Sequence, residues 1–403
     1  MKYRKLTSIY YEDKSIYQKK YTSRINGEET VILPLDINGN RAFYVNNSQV
    51  SVMLDNINML SNDINMLAVR LPQIAINFLQ DKFLTEEINT TYTMEGVHSS
   101  KKEISEALKS DNKQVRFYNM AKKYKKMLED TQIDLSSPDK LRKLYDEIII
   151  DEIDLNDYPD GKLFRENDVY VQDSSPDGKT RHTGIKPPEE NIILALEKAL
   201  SVMNNSDMPY LVKIAILHYY IGYIHPFYDG NGRLDRYISS CLIARYVNPY
   251  VSIRISNTIK SQKNRYDNLF DDCNNKINKG DITPFVIGFV DIVQKTAGEI
   301  LKIITDLGNK LWMMRHKTIN NPIFKEKYDL KNIDEALINL FIQNNLFAAN
   351  GLLEKEIIEI MKGWNHKEGS IKKSLKKLLE TDLPIEKQKQ GRYKIYSLNT
   401  DKL

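Results

Sequence analysis

Cysteine is almost absent. Cys241 and Cys273 are the only two in 403 residues, too few for a disulfide framework. Long apolar runs are missing too. The best candidate, Leu211 to Phe227, is broken by Lys213 and His218, so it reads as a core helix and not as a membrane span. The opening MKYRKLTSIYYEDKS has no apolar stretch of the kind a secretory signal carries. Together these absences predict a cytoplasmic protein, in a reducing compartment, with no membrane partner. Histidine is scarce, six in all, and His98, His182, His316 and His366 have no metal-ligand spacing, which argues against a zinc site. A strong charge imbalance is lacking as well. The net charge is +4, yet residues 362–403 hold 11 Lys and Arg against 5 Asp and Glu, a basic end on a near-neutral body.

What is present is mostly helical patterning. Hydrophobic residues make up 41% and charged residues 28%, ordinary values for a globular chain long enough for two or three domains. Residues 1–46 look irregular and tyrosine-rich, except that Thr30 to Val45 reads as a hairpin around Asn38-Gly39. Tyr3, Tyr10, Tyr11, Tyr17 and Tyr21 are expected in a frayed, solvated tail, with self-modification the other reading. Helical spacing runs from Val50 to Phe83. Ser100 and Glu103 form a capping box, after which the helical pattern continues to about Asp151. Val169-Tyr170-Val171 and Thr180 to Ile185 are strand-like and bracket the turn formers Ser174-Ser175-Pro176-Asp177-Gly178. Helices resume near Pro188 and run to about Lys317. The polar stretch Asn320 to Leu330 marks a boundary.

Beyond that boundary three helical patterns, Asp334–Asn345, Leu353–Met361 and Ser370–Thr381, precede a two-stranded wing around Gly391. This order predicts a winged helix-turn-helix. Lys372, Lys373, Lys376 and Lys377 point away from the apolar face of the third helix. They suit either a DNA backbone or plain solvation, and winged helices also mediate protein contacts. The division predicted is 1–98, an N-terminal region with a hairpin and helices; 99–318, a central core; and 332–403, the winged-helix module.

Residues 225–236 read His-Pro-Phe-Tyr-Asp-Gly-Asn-Gly-Arg-Leu-Asp-Arg. Pro226, Gly230 and Gly232 interrupt one helix and a second begins near Asn231, so a loop feeds a helix N-terminus. Unpaired backbone N–H groups and the positive dipole end there make a phosphate site. Arg233 and Arg236, three apart, leave one helix face and suit a triphosphate. Asp229 is a lone hard carboxylate fit to share Mg²⁺ with phosphate oxygens. His225 is the one plausible general base among these residues. His218 and Cys241 lie on apolar helical stripes and read as core.

The pattern His-x-Phe-x-Asp-Gly-Asn-Gly-Arg-x-x-Arg resembles the signature of the Fic family, with all eight fixed positions filled. Chance would give this on the order of 10⁻⁸ per chain. The resemblance implies a mainly α fold: a Fic-type helical core with a β-hairpin flap, an N-terminal helical arm and the C-terminal winged helix-turn-helix. It implies a protein adenylyltransferase that moves AMP from ATP, with Mg²⁺, to a Ser, Thr or Tyr hydroxyl of a protein target, itself included. On the family pattern His225 deprotonates the hydroxyl, Asp229 binds Mg²⁺, and Asn231 with neighbouring amides, including those of Gly230 and Gly232, holds the α- and β-phosphates. Arg233 meets the β-phosphate, Arg236 the γ-phosphate, and Phe227 anchors the loop. The 169–185 hairpin resembles the family's flap, which adds a strand to the target. Tyr266 falls, by a looser match, where relatives place a tyrosine near the adenine. Gly230 and Gly232 separate the chain from the Doc-like kinases, which carry Ala and Lys there.

Thr91-Tyr92-Thr93-Met94-Glu95-Gly96 resembles the family's inhibitory motif, in which Thr91, Glu95 and Gly96 are the fixed positions. The implied role pairs Glu95 with Arg236, in the place of the γ-phosphate. The bland alternative is a helix end capped by Gly96 with Glu95 in solvent. Two further functional readings stay open: removal of AMP by the same site, and a DNA-binding regulator whose core senses nucleotide. Family members often act through homodimers, and the sequence shows no interface.

Overall fold

In the computed structural model the residues described are 3–172, 178, 180–348, 350–390, 393–399 and 402. The chain divides into two compact units, residues 1–61 with 84–298, and residues 62–83 with 299–403. Both are mainly helical. No helix among the described residues is long and apolar enough to cross a membrane.

In the first unit the N-terminus is not the frayed tail expected. Helices Leu6–Glu12 and Lys14–Ile25 form there, the second capped by Asp13, which accepts from the Ser15 N–H at 2.8 Å. Leu6, Ile9 and Tyr17 pack on Phe43. The Tyr3 hydroxyl donates to Asp281 at 2.6 Å and the Tyr17 hydroxyl to the Ile277 carbonyl. Burial and tertiary partners thus order a segment whose local sequence looks polar; Tyr11 alone of the five keeps the solvent exposure expected, at 74%. The hairpin forms as predicted. Thr30–Ile32 pairs antiparallel with Phe43–Val45, and Asn38 and Gly39 both take positive φ, the tight-turn geometry that Asn-Gly favours.

The capping box closes as read, with the Glu103 N–H on the Ser100 hydroxyl and the Ser100 N–H on the Glu103 carboxylate. The helical interval after it is three helices, Lys101–Lys109, Tyr118–Glu129 and Pro138–Ile148. Turn formers interrupt it: Ser137 caps the last of these and Pro138 opens it. Helices Tyr210–Ile224 and Asn231–Tyr246 form the centre, buried along nearly their whole length. That burial explains why Tyr210–Ile224 is apolar all round without being a membrane span. The flap strands Tyr170–Gln172 and Thr180–Thr183 pair antiparallel, Val171 facing His182. Of the turn formers Ser174 to Gly178, only Gly178 is described, with φ 51; the other four lie outside the described residues.

In the second unit, helices Asn332–Phe347, Glu354–Gly363 and Glu368–Leu379 pack with strands Leu352–Leu353, Ile385–Gln390 and Tyr393–Leu398. The last strand lies between the other two, and both pairings are antiparallel. Leu352–Leu353 was not foreseen, two residues being too few for an alternating pattern. Gly391, the expected wing turn, lies outside the described residues. Ile371, Leu375 and Leu378 are buried, as their spacing predicts. The lysines beside them are largely engaged: Lys372 with Glu368 at 2.7 Å, Lys377 with Asp334 at 2.8 Å and Lys376 with Glu380 at 3.9 Å.

Candidate functional site

The Tyr210–Ile224 helix ends because His225 turns into the left-handed region, φ 52, while its N–H still closes on the Ile221 carbonyl at 3.0 Å. Arg165, fully buried, holds this turn. Its guanidinium donates to the carbonyls of His225 at 2.8 Å, Ile185 at 2.7 Å and Asn167 at 2.6 Å. One buried cation therefore fixes the loop and the base of the flap together. The Ile185 N–H adds a bond to the Ile224 carbonyl at 3.0 Å, and Arg181 on the flap pairs with Asp271 at 3.3 Å. Burial and the nearby positive charge of His182 push the His225 imidazole down to about 4, so it is neutral at ordinary pH.

Phe227 is fully buried, stacked on Tyr145 with ring centroids 3.6 Å apart and met edge-on by Phe164. The anchor role read for it fits this packing. Asn231 spends its side chain on the loop itself, accepting from the Phe227 N–H at 3.0 Å and donating to the Phe227 carbonyl at 2.8 Å. Its side chain closes the loop in this arrangement through one N–H and its carbonyl oxygen. Gly230 caps the Asn231–Tyr246 helix at φ 80, and a side chain on it would run into Ile149.

Asp229 accepts from the Gly230 N–H at 2.5 Å and from Arg233 at 2.7 Å, with 40% of its side chain exposed. Arg233 is almost wholly buried, yet its Nε and one terminal nitrogen have no hydrogen-bond partner among the described residues. Buried guanidinium N–H groups left unpaired are costly, so this pair of donors is an opening for anionic oxygens. Among the described residues no three His, Cys, Asp or Glu side chains gather to hold a metal. Asp229 is thus a single-carboxylate position, and a hard cation there would draw its other ligands from phosphate and water.

Thr91 and Glu95 meet the first turns of this helix at Arg236, and Gly96 follows them at the end of their own helix. The Thr91 hydroxyl accepts from Arg236 Nε at 2.7 Å, and the Glu95 carboxylate accepts from an Arg236 terminal nitrogen at 2.6 Å. Burial is the largest influence on the Arg236 charge and works against it, but the Glu95 carboxylate and its hydrogen bond, together with Tyr266 and Tyr124, hold the guanidinium above its ordinary range. Gly96 takes φ 73 and the Val97 N–H reaches back to the Tyr92 carbonyl at 3.0 Å, ending the Gln73–Met94 helix. Gly96 ends the helix as a cap, but Glu95 is paired with Arg236 and not left to solvent. A side chain at Gly232 would collide with the Glu95 carboxylate, so the glycine admits Glu95 to the helix N-terminus.

Tyr266, expected near a nucleotide base, is buried with its hydroxyl 2.6 Å from His218 Nε2. His218 completes its bonds with Ser239 at 2.8 Å and faces Asp235 at 3.1 Å, the satisfied core histidine its position suggests. Sequence reading missed Glu152, close behind Arg233, and the clamp role of Arg165. Glu152 lies in no periodic pattern or fixed motif, and the tertiary fold brings both residues to the loop.

The comparisons with known proteins agree with this geometry. Residues 135–243 match the sequence model of the Fic/DOC family. A protein described as "Protein adenylyltransferase Fic" from Drosophila yakuba is 31% identical over 156 residues, 38% of this chain and 28% of that one. The protein of the same description from Drosophila melanogaster gives the same identity and coverage. The chain thus spans little more than a quarter of the length of these curated relatives. A solved Fic family protein from Desulfovibrio desulfuricans G20 superposes with a TM-score of 0.52 at 15% identity, covering 88% of this chain and 97% of that one. Residues 135–243 thus resemble the Fic/DOC family in sequence, and the chain shares the helical fold of that solved structure.

Proposed function

We propose that this chain is a Fic/DOC-family protein adenylyltransferase held off by its own Thr91–Gly96 segment. The observation that carries the reading is the Glu95–Arg236–Thr91 contact, made near the N-terminus of the very helix that the phosphate loop feeds. The neutral His225 takes the proton of a Ser, Thr or Tyr hydroxyl; that oxygen bonds to the α-phosphorus of ATP, and the bond to the bridging oxygen breaks, releasing pyrophosphate. Arg233, with two unpaired N–H groups, receives phosphate oxygens. Asp229 would hold Mg²⁺, which supplies charge neutralisation to the phosphates. The flap would add a strand to the target segment. The functional division follows the sequence: residues 1–98 bearing the brake, 99–318 the catalytic core, and 332–403 a winged-helix module. The pairing of Lys372 and Lys377 within the module favours plain solvation of that helix over a DNA backbone.

The test is incubation of the full chain with labelled ATP and Mg²⁺. Glu95→Gly removes a charge-assisted bond and raises self-labelling roughly tenfold or more over wild type. His225→Ala in that background lowers it by roughly 10²- to 10⁴-fold. Equal labelling of wild type and Glu95→Gly overturns the brake. Loss of a preloaded label, without any gain, replaces transfer with removal of AMP.

A further inference from the structure

Glu152 is a carboxylate the proposed chemistry leaves without a task. It ends the short turn Ile150–Glu152, with 12% of its side chain exposed. The Tyr92 hydroxyl donates to its Oε2, and the same oxygen lies 3.9 Å from an Arg233 terminal nitrogen. Tyr92 is fully buried, sits between Thr91 and Glu95 in the inhibitory segment, meets the Phe117 ring at a tilt with centroids 4.4 Å apart, and faces the Arg233 guanidinium at 5.8 Å. A cavity of about 530 Å³ opens over this group, lined by Val97, Arg116, Phe117, Asp151, Glu152 and Ile153. Burying a carboxylate this far is costly unless its partners make it worthwhile. Burial raises the Glu152 carboxyl to about 7, while the Tyr92 bond and the Arg233 and Arg116 charges work the other way.

We propose that Glu152 is a positioning residue that latches the end of the inhibitory helix to Arg233, so that the segment restrains both arginines of the loop and not Arg236 alone. This rests on the reading of Thr91–Gly96 as a brake. Tyr92 provides the link to the helix, and the Glu152 charge draws on Arg233 in competition with an incoming phosphate. The Glu95, Gly96 and Val97 amides, bonded back to Tyr92 and Thr93, report whether the latch is closed.

The experiment follows amide exchange of residues 95–97 in the full chain without nucleotide, then ATP kinetics in the Glu95→Gly background. Tyr92→Phe accelerates that exchange roughly tenfold, Glu152→Gln by about threefold, and the pair together no more than Tyr92→Phe alone. Tyr44→Phe, which removes a buried hydroxyl that has no partner among the described residues, leaves it unchanged. In the Glu95→Gly enzyme, Glu152→Gln lowers KM for ATP about threefold and keeps kcat within about twofold, a split that a purely structural residue does not produce. Unchanged exchange in Tyr92→Phe, additive effects of the two substitutions, or an unmoved KM overturns the latch. Should Glu95→Gly show no labelling at all, adenylyl transfer fails and the exchange data alone decide the latch.

Discussion

The two ends of the phosphate loop are in different states. At one end Arg236 is fully engaged, by the Thr91 hydroxyl and carbonyl and by the Glu95 carboxylate. At the other end Arg233 keeps one bond to Asp229 and leaves two buried donors unpaired. A brake that filled both ends would block nucleotide altogether. On the proposed reading the segment fills the Arg236 end and draws on Arg233 only through Glu152, at 3.9 Å, so a ligand can still bind by its inner phosphates while its terminal phosphate is refused. The lesson is that such inhibition acts on alignment more than on affinity, because catalysis depends on geometry held to fractions of an ångström. Glycine at 232 is part of the device, since the carboxylate takes the space a side chain would fill.

The largest effect expected comes from breaking the open end. In the Glu95→Gly background, Arg233→Ala lowers kcat/KM for ATP by roughly 10²- to 10³-fold, the loss of a preorganised donor to a transferring phosphate. If Arg233→Ala were indistinguishable from its parent in steady-state labelling, the unpaired donors would have no role in the reaction. The comparison is sharpened by placing the same test in the chain with Glu95 intact. There Arg236→Ala removes both the brake's partner and a phosphate ligand, so its labelling stays below that of Glu95→Gly, by about tenfold or more. Labelling as high as that of Glu95→Gly means that Arg236 serves only the brake.

How much of this is legible in the sequence follows the range of each interaction. Short-range features are readable: the Asn38-Gly39 turn, the Ser100–Glu103 capping box, and the loop that breaks at Pro226 and restarts at Asn231 each depend on neighbours within a few residues. Thr91 and Glu95 lie 145 and 141 positions from Arg236, and only the family pattern, not periodicity, connects them. Features without either signal escape. Glu152 meets Tyr92 across 60 positions, and Arg165 meets His225 across 60, in no recurring spacing. The N-terminal helices escape for the same reason: Tyr3 and Arg24 reach Asp281, a partner no local pattern reveals. The phosphate role given to Asn231 shows a different limit, since a motif position names a residue without saying which of its atoms are already committed.

A smaller effect concerns proton balance at the loop. With the His225 imidazole held down to about 4 in the intact chain, the acid limb of kcat/KM in Glu95→Gly falls with a midpoint no higher than about 4. The Glu95 charge pulls this histidine upward, so its removal moves the limb further down. A midpoint near 6.5 would mean that the base is solvated and that neither burial nor His182 acts on it.

The smallest effect is on stability, and it separates the middle of the inhibitory helix from its end. Glu87 lies wholly buried on that helix and accepts two bonds from the Ser256 N–H, each at 3.0 Å. Burial raises its carboxyl to about 7, against the opposing pull of those bonds and of Arg254 and Arg236. A carboxyl raised in the fold binds its proton more tightly there than in the unfolded chain. Its contribution is therefore complete below about 4.5 and is lost as pH rises through about 7. Glu87→Gln carries no such proton. Relative to wild type it gains stability by up to about 3 kcal/mol between about pH 4.5 and 7.5, since each pH unit in that window is worth about 1.4 kcal/mol. Urea denaturation of both proteins at a series of pH values measures this difference. A constant difference across the range would show that Glu87 is ionised throughout, and the helix would then be anchored at both Glu87 and Glu95 by permanent charge.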